Sequence, residues 1–272
     1  MEILLLGTAA AEGWPCPWCA CAACTEARRR GGRDLRTRSS ALLDGVVKVD
    51  FNADTLMQMM RAGRDLTRLS TLIFTHAHND HCTPVELQYR GPWFVTGSPP
   101  APLHVYGSAQ VLCAVRAALD NPDALGLELH PPLEPFQTVG TPDGTEILAL
   151  PAAHVPGTLL LRLTRDGRRV FYGHDSGIYP DETVAALGGT PLDMALFDCT
   201  YGPQPNEYKG HLGIEGVLNM IERLRTVGAI TPRTKLVATH FSHNGGLGHE
   251  ELVSRFAPRG VEVAYDGMIL DV

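Results

Sequence analysis

The sequence has no apolar run approaching the ~18 residues that would cross a bilayer as a helix. It also lacks a long block of like charge, a low-complexity linker, and any repeat visible on inspection. Charged residues make up only 19% of the 272, and the balance is acidic at -7. That sign argues against general affinity for nucleic acid or for anionic membranes. The opening MEILLLGTAAAEG does not fit a secretory signal. Glu2 stands where positive charge is expected, and the apolar run stops at Gly7. A cytoplasmic location is therefore expected. With 44% hydrophobic residues the chain can bury a sizeable core. A single domain spanning 1–272 is the expectation.

Histidine is scarce, at 11 residues, yet three of them fall in residues 75–82, THAHNDHC. Neighbouring imidazoles repel once protonated, and a buried one needs a partner for each ring nitrogen. A solvated loop or a metal site accounts for such crowding. In an extended segment His76 and His78 share a face and can hold one ion, while Asp80 and His81, past a turn, can face a second. Nitrogen and oxygen donors of this kind suit Zn, Mn or Fe better than Ca.

Several short apolar runs end at a residue able to bind metal. Leu72-Ile73-Phe74 leads to His76, Glu146–Leu150 to His154, Val170-Phe171-Tyr172 to Asp175, and Lys235–Thr239 to His240. Such runs fit buried strands whose ends carry a site. Thr83-Pro84-Val85-Glu86 carries a capping-box pattern and predicts a helix start directly after the histidine loop. Helices are predicted at about 52–65, 107–120, 212–227 and 248–257. The loose alternation of strand pairs and helices suggests sheets covered by helices.

The order His76-x-His78-x-Asp80-His81, then His154, Asp175 and His240, resembles the metallo-β-lactamase superfamily. The likeness runs from Leu6-Gly7-Thr8 through Asp198-Cys199-Thr200 to His240. It implies an α/β (α+β) fold, the four-layer αββα sandwich, with a dinuclear metal centre at one edge of the two sheets. By this resemblance His76, His78 and His154 hold the first ion, Asp80, His81 and His240 the second, and Asp175 bridges. One departure is Asp50-Phe51-Asn52, where the family loop usually reads Asp-x-Gly. Asparagine tolerates a left-handed backbone better than most residues, so the turn is expected to survive at Asn52.

Four of the seven cysteines lie in residues 16–24, CPWCACAAC. In a reducing compartment such clustering favours metal over disulfides. Four thiolates would suffice for a tetrahedral zinc, with Cys16 among them. The spacing Cys19-x-Cys21-x-x-Cys24 resembles a narrower branch, the phosphoribosyl cyclic phosphodiesterases of the carbon–phosphorus lyase pathway (PhnP) and their relatives. That resemblance assigns Cys19, Cys21, Cys24 and His243 to a structural zinc and leaves Cys16 over. It also makes His211, in Lys209-Gly210-His211-Leu212, the general acid, counted with Asp80 as catalytic. A helix-capping or surface histidine is the plainer reading of His211.

Two divalent ions set against Asp80, Asp175 and a hydroxide leave a small positive charge, which suits an anion such as a phosphodiester. The expected cofactors are two active-site Zn or Mn ions, with Fe an alternative, and one structural Zn. The expected activity is hydrolysis of a small or cyclic phosphate ester. The expected partner is that small anionic substrate, with no membrane and no strong nucleic-acid signal; a homodimer stays open. Alternatives are a PqqB-like oxidative or cofactor-biosynthesis protein, a lactonase, and a ribonuclease Z-like enzyme. The last is disfavoured because no insertion resembles a substrate-gripping arm. The run Arg28, Arg29, Arg30, Arg33, Arg36 and Arg38 reads as a solvated face, or as a binder of substrate phosphate. His174 reads either as a residue orienting a ligand or as an ordinary strand-end histidine. Cys113, Met57, Met59 and Met60 read as packing residues.

Overall fold

A computed structural model describes residues 1–205 and 210–272, so Lys209 of the His211 motif lies outside the described residues. Among the described residues fourteen strands form two seven-stranded sheets. The first contains β1 (Glu2–Gly7), β2 (Ser40–Leu43), β3 (Val47–Val49), β4 (Thr71–Ile73), β5 (Leu103–Tyr106) and β6 (Leu127–Leu129). The second contains β7 (Thr138–Gly140), β8 (Glu146–Pro151), β9 (Leu159–Arg165), β10 (Arg168–Gly173), β11 (Met194–Asp198), β12 (Lys235–Thr239) and β13 (Val261–Val263). The last strand, β14 (Met268–Asp271), returns to the first sheet and pairs antiparallel with β1.

Each sheet is mixed. β3, β4, β5 and β6 run parallel, as do β10, β11, β12 and β13, while the remaining neighbours are antiparallel. The central strands are buried on both faces, which is why they read as short apolar runs rather than alternating ones. Along β1, Ile3 and Leu5 face the core between the sheets, whereas Leu4 and Leu6 face a second core outside the first sheet.

The helices are α1 (Ala22–Arg30), α2 (Thr55–Ala62), α3 (Ala109–Ala118), α4 (Asp181–Leu187), α5 (Ile214–Thr226) and α6 (His249–Phe256). Met59 of α2 and Val111 and Val115 of α3 pack into the outer core of the first sheet. Val184 of α4, Val217 and Met220 of α5, and Leu252 and Phe256 of α6 join the core of the second. The result is an αββα sandwich of the metallo-β-lactamase type.

The four predicted helices correspond to α2, α3, α5 and α6, each shorter than the prediction. The predicted start at Thr83 differs in kind. Pro84–Arg90 is 3-10 helix, and the Thr83 hydroxyl donates back to the Asn79 carbonyl (2.9 Å) instead of capping forward. Three packing assignments also change: Cys113 is exposed, and so are Met57 and Met60, leaving Met59 as the buried methionine of α2.

Candidate metal centre

The site residues gather where strands of both sheets end. β3 runs into Asp50, β4 into the loop His76–His81, β8 into His154, β10 into Asp175, β11 ends on Asp198, and β12 leads to His240. Asp50, Asp175 and His240 have positive φ (61°, 50° and 60°). That conformation costs of order 1 kcal/mol or more for a non-glycine residue. Here it turns each side chain sharply off its strand into the site. The left-handed residue of the Asp50-Phe51-Asn52 loop is therefore Asp50, not Asn52 as expected. Asn52 serves otherwise: its amide donates to the carbonyls of Arg38 and Ser39 (both 3.1 Å).

A turn closes after His78, whose carbonyl accepts the N–H groups of His81 and Cys82 (3.0 and 2.8 Å). This folds the His76 and His81 rings to 4.4 Å between centroids. Potential ligand atoms of His76, His78 and His154 lie within 4.8 Å of one another, and so do those of Asp80, His81 and His240. Asp175 stands between the groups. Its Oδ2 is 3.0 Å from His81 Nε2 and 3.2 Å from His240 Nε2, and its Oδ1 is 4.0 Å from His154 Nε2. His78 Nδ1 and His154 Nε2 approach to 3.3 Å.

The far ring nitrogens are committed elsewhere. His81 Nδ1–H donates to Asp50 Oδ2 (2.6 Å) and His154 Nδ1–H to the Gly210 carbonyl (3.1 Å). The Thr200 hydroxyl spends its proton on the His240 carbonyl (2.9 Å), so it accepts from His240 Nδ1–H (2.8 Å). By the same logic Thr75 donates to Asp50 and accepts from His76 Nδ1–H (3.1 Å). The inward nitrogens are then lone pairs. Buried His76 Nε2, His81 Nε2, His240 Nε2 and Asp175 Oδ2 have no hydrogen-bond partner among the described residues, although some lie about 3 Å apart. Acceptors converging on acceptors without a proton between them are satisfied by a cation, and this donor set fits divalent metal.

The electrostatics divide the imidazoles: burial pulls His81 down, but Asp175 and Asp50 lift it well above the ordinary imidazole range, so a cation bound there would displace a proton from His81. Burial holds His76 and His154 below the ordinary imidazole range, keeping them neutral as ligands must be. Burial opposes ionisation of Asp80 and Asp175, but the surrounding imidazoles hold both carboxylates below their usual range. His174, driven down to about 3 by burial, lies against Tyr172 with ring centroids 3.9 Å apart and the planes tilted by 31°. Neither of its nitrogens is hydrogen-bonded among the described residues, so Asp50, Thr75 and Thr200, not His174, orient the candidate ligands.

His211 stacks on His240 at 5.6 Å and donates from Nδ1 to Asp198 Oδ2 (2.7 Å). Asp198 Oδ1 is held by the N–H groups of Thr200 (2.9 Å) and Leu212 (3.3 Å). Burial pulls the His211 pKa down, but Asp198, with Asp175 and Asp80 beyond it, lifts it to about 9. The neighbouring Gly210 is constrained: its φ is 108°, and a Cβ there would lie 3.0 Å from His154 Nδ1.

Nearby, Cys19, Cys21, Cys24 and His243 form a second cluster with potential ligand atoms within 4.8 Å. His243 Nδ1 is 3.5 Å from Cys21 Sγ and 3.8 Å from Cys19 Sγ. The Cys24 N–H lowers the Cys21 thiol to about 6, while burial raises that of Cys24 to about 12. Cys16 contributes its backbone N–H to Cys24 Sγ (3.3 Å) and lies outside this ligand group. Arg28 ties the loop down through the carbonyls of Cys16 (2.8 Å) and Cys19 (3.0 Å).

The arginine run is thus not a uniformly solvated face. Arg36 is buried, bonded to Thr8 and the Ala264 carbonyl, Arg30 pairs with Glu26 and Glu251, and Arg38 with Asp54. Sequence reasoning gave no role to Asp50, Thr75, Asp198 or Thr200. The available signal was a carboxylate closing a short strand-like run, at Asp50 after Val47-Lys48-Val49 and at Asp198 after the apolar Met194–Phe197.

The family model for the β-lactamase superfamily domain matches residues 41–241. A coenzyme PQQ synthesis protein B from Azoarcus sp. is 29% identical over 325 aligned positions, covering 100% of both chains. Zn-bound PqqB from Methylobacterium extorquens superposes with a TM-score of 0.79 at 19% identity, with 100% of both chains covered. A diphosphatase of the PhnP family superposes at 0.73 with 22% identity, covering 100% of this chain and 97% of that one. No helix among the described residues is long and apolar enough to cross a membrane. With its αββα sandwich, its histidine loop at the end of β4 and this family match, the chain belongs to the metallo-β-lactamase superfamily.

Proposed function

We propose that the protein is a metal-dependent phosphodiesterase acting on small or cyclic phosphate esters. In this reading His76, His78 and His154 hold one divalent ion and Asp80, His81 and His240 another, with Asp175 shared. Cys19, Cys21, Cys24 and His243 hold a structural zinc. Divalent ions bound by such groups supply positive charge for a phosphoryl group and a source of hydroxide near neutral pH. The observation that carries the reading is the Asp198–His211 pair. An alkoxide leaving from phosphorus needs a proton, and His211 is fixed through Nδ1 beside the ligand groups, its Nε2 without a hydrogen bond among the described residues and so placed to deliver one. Asp50 and Thr200 keep His81 and His240 from rotating, so the donor set is organised before substrate arrives.

A second reading is a PqqB-like role in cofactor biosynthesis, favoured by the full-length likeness to PQQ synthesis proteins. One experiment separates the two. Metal content of purified protein is measured together with turnover of bis(p-nitrophenyl) phosphate in added Mn²⁺ or Zn²⁺. Three metals per chain with diester cleavage supports the phosphodiesterase. Bound iron, oxygen uptake and no cleavage would replace it with the second reading.

A further inference from the structure

Beside His154 lies a cavity of about 540 Å³. One wall is the N-terminus of α3, with Ser108 at the cap; the loop carrying Thr158 forms another. Ser108 has the extended backbone of a helix cap, yet its hydroxyl makes no capping bond. The first-turn N–H groups of Ala109, Gln110 and Val111 have no carbonyl partner within the helix. Thr158, from a separate segment, repeats the pattern. Both hydroxyls are buried, both residues are 4% exposed, and neither finds a partner among the described residues. Ser108, Thr158 and the N-terminus of α3 border one cavity, and oxygen atoms from a ligand would satisfy both hydroxyls once a small side-chain turn brings them to its surface.

The charge of that ligand follows from the remaining lining. No lysine or arginine contributes, Glu134 stands in the wall, and Leu133 and Pro156 supply apolar surface. A second phosphate would meet a carboxylate without a neutralising cation. We infer that this cavity receives the neutral organic part of the ester, a ring-sized group carrying carbonyl or hydroxyl oxygens, while the phosphoryl group sits at the metal ligands. The inference rests on the phosphodiesterase reading for its catalytic arm and extends it to the substrate class.

The test uses the full chain and thymidine as a neutral probe. Equilibrium dialysis should show thymidine binding to the protein without any phosphate, and Thr158→Val should weaken it about tenfold by removing one hydroxyl isosterically. Ala109→Pro removes one first-turn N–H at a position where proline suits the helix, and should act in the same direction. In turnover, thymidine 5′-p-nitrophenyl phosphate should have a lower KM than methyl p-nitrophenyl phosphate, and either variant should cut that preference about tenfold. Thymidine binding without turnover of either ester would sink the phosphodiesterase and keep the cavity. Turnover of both esters with equal KM, or a preference for a thymidine ester bearing a second phosphate, would overturn the inference.

Discussion

At the residue scale the site depends on which nitrogen of each imidazole is spoken for. Asp50 and Asp198 are separated in sequence by more than half the chain but do the same work, each taking the outer Nδ1–H of a histidine. His211→Ala should lower kcat on a diester with an alkoxide leaving group by about a hundredfold or more, the usual worth of a general acid, with metal content unchanged by elemental analysis. Lys48 offers a prediction independent of metal. Burial pushes its pKa down to about 7, and Nζ donates to the Ser40 hydroxyl and the Asp50 carbonyl, two bonds that a neutral amine can fill. The folded state then holds fewer protons at Lys48 than the unfolded chain between about pH 7 and the ordinary lysine pKa of 10.5. Across that window this residue's contribution makes stability rise with pH, and below pH 7 the full penalty remains. Lys48→Met should flatten the rise, measured as denaturation midpoints from pH 6 to 10. These residues show the limit of reading by sequence. A metal-binding motif declares its ligands by spacing, but a buried lysine in β3 looks from sequence like any polar interruption of a strand.

Among the elements, the loop from Cys16 to Cys24 and the short 3-10 turn at His243–Gly245 join chain segments more than two hundred residues apart. Sequence chemistry left Cys16 and His243 as rival fourth ligands, because thiolate and imidazole both satisfy zinc. The geometry separates them: His243 lies with Cys19, Cys21 and Cys24, whereas Cys16 meets the group through its backbone, donating its N–H to Cys24 Sγ and accepting the Cys19 N–H. Cys21→Ser should cost one zinc per chain and lower Tm, while Cys16→Ser should keep the zinc, both read by metal analysis and calorimetry. Helix positions were legible in the sequence, and α3, α5 and α6 each bury an apolar stripe, whereas α2 buries Thr55 and Gln58 beside Met59. The segment after the histidine loop was legible as helical but not as 3-10, because the Thr83 hydroxyl turns back to Asn79 and leaves the capping box unmade.

For the whole molecule, the candidate ligands come from both sheets: the loop after β4 of the first, and the ends of β8, β10 and β12 of the second. Ions bound there would tie the two layers together, so removing them should be felt globally. Exhaustive chelation should lower Tm by roughly 5–10 °C, with recovery when Zn²⁺ or Mn²⁺ is returned. An unchanged calorimetric transition would show that no ion links the sheets. The seven candidate ligands and the sandwich they imply could be read from the chain alone, because four of those ligands share one short loop and the others close apolar runs. Tertiary structure alone decided the rest. The partners that fix each histidine, the fate of the arginines and the cavity beside His154 are built where strand ends and a helix N-terminus from distant segments meet. No local spacing encodes such a meeting, because only packing of the two sheets and their helices brings those segments within hydrogen-bonding distance.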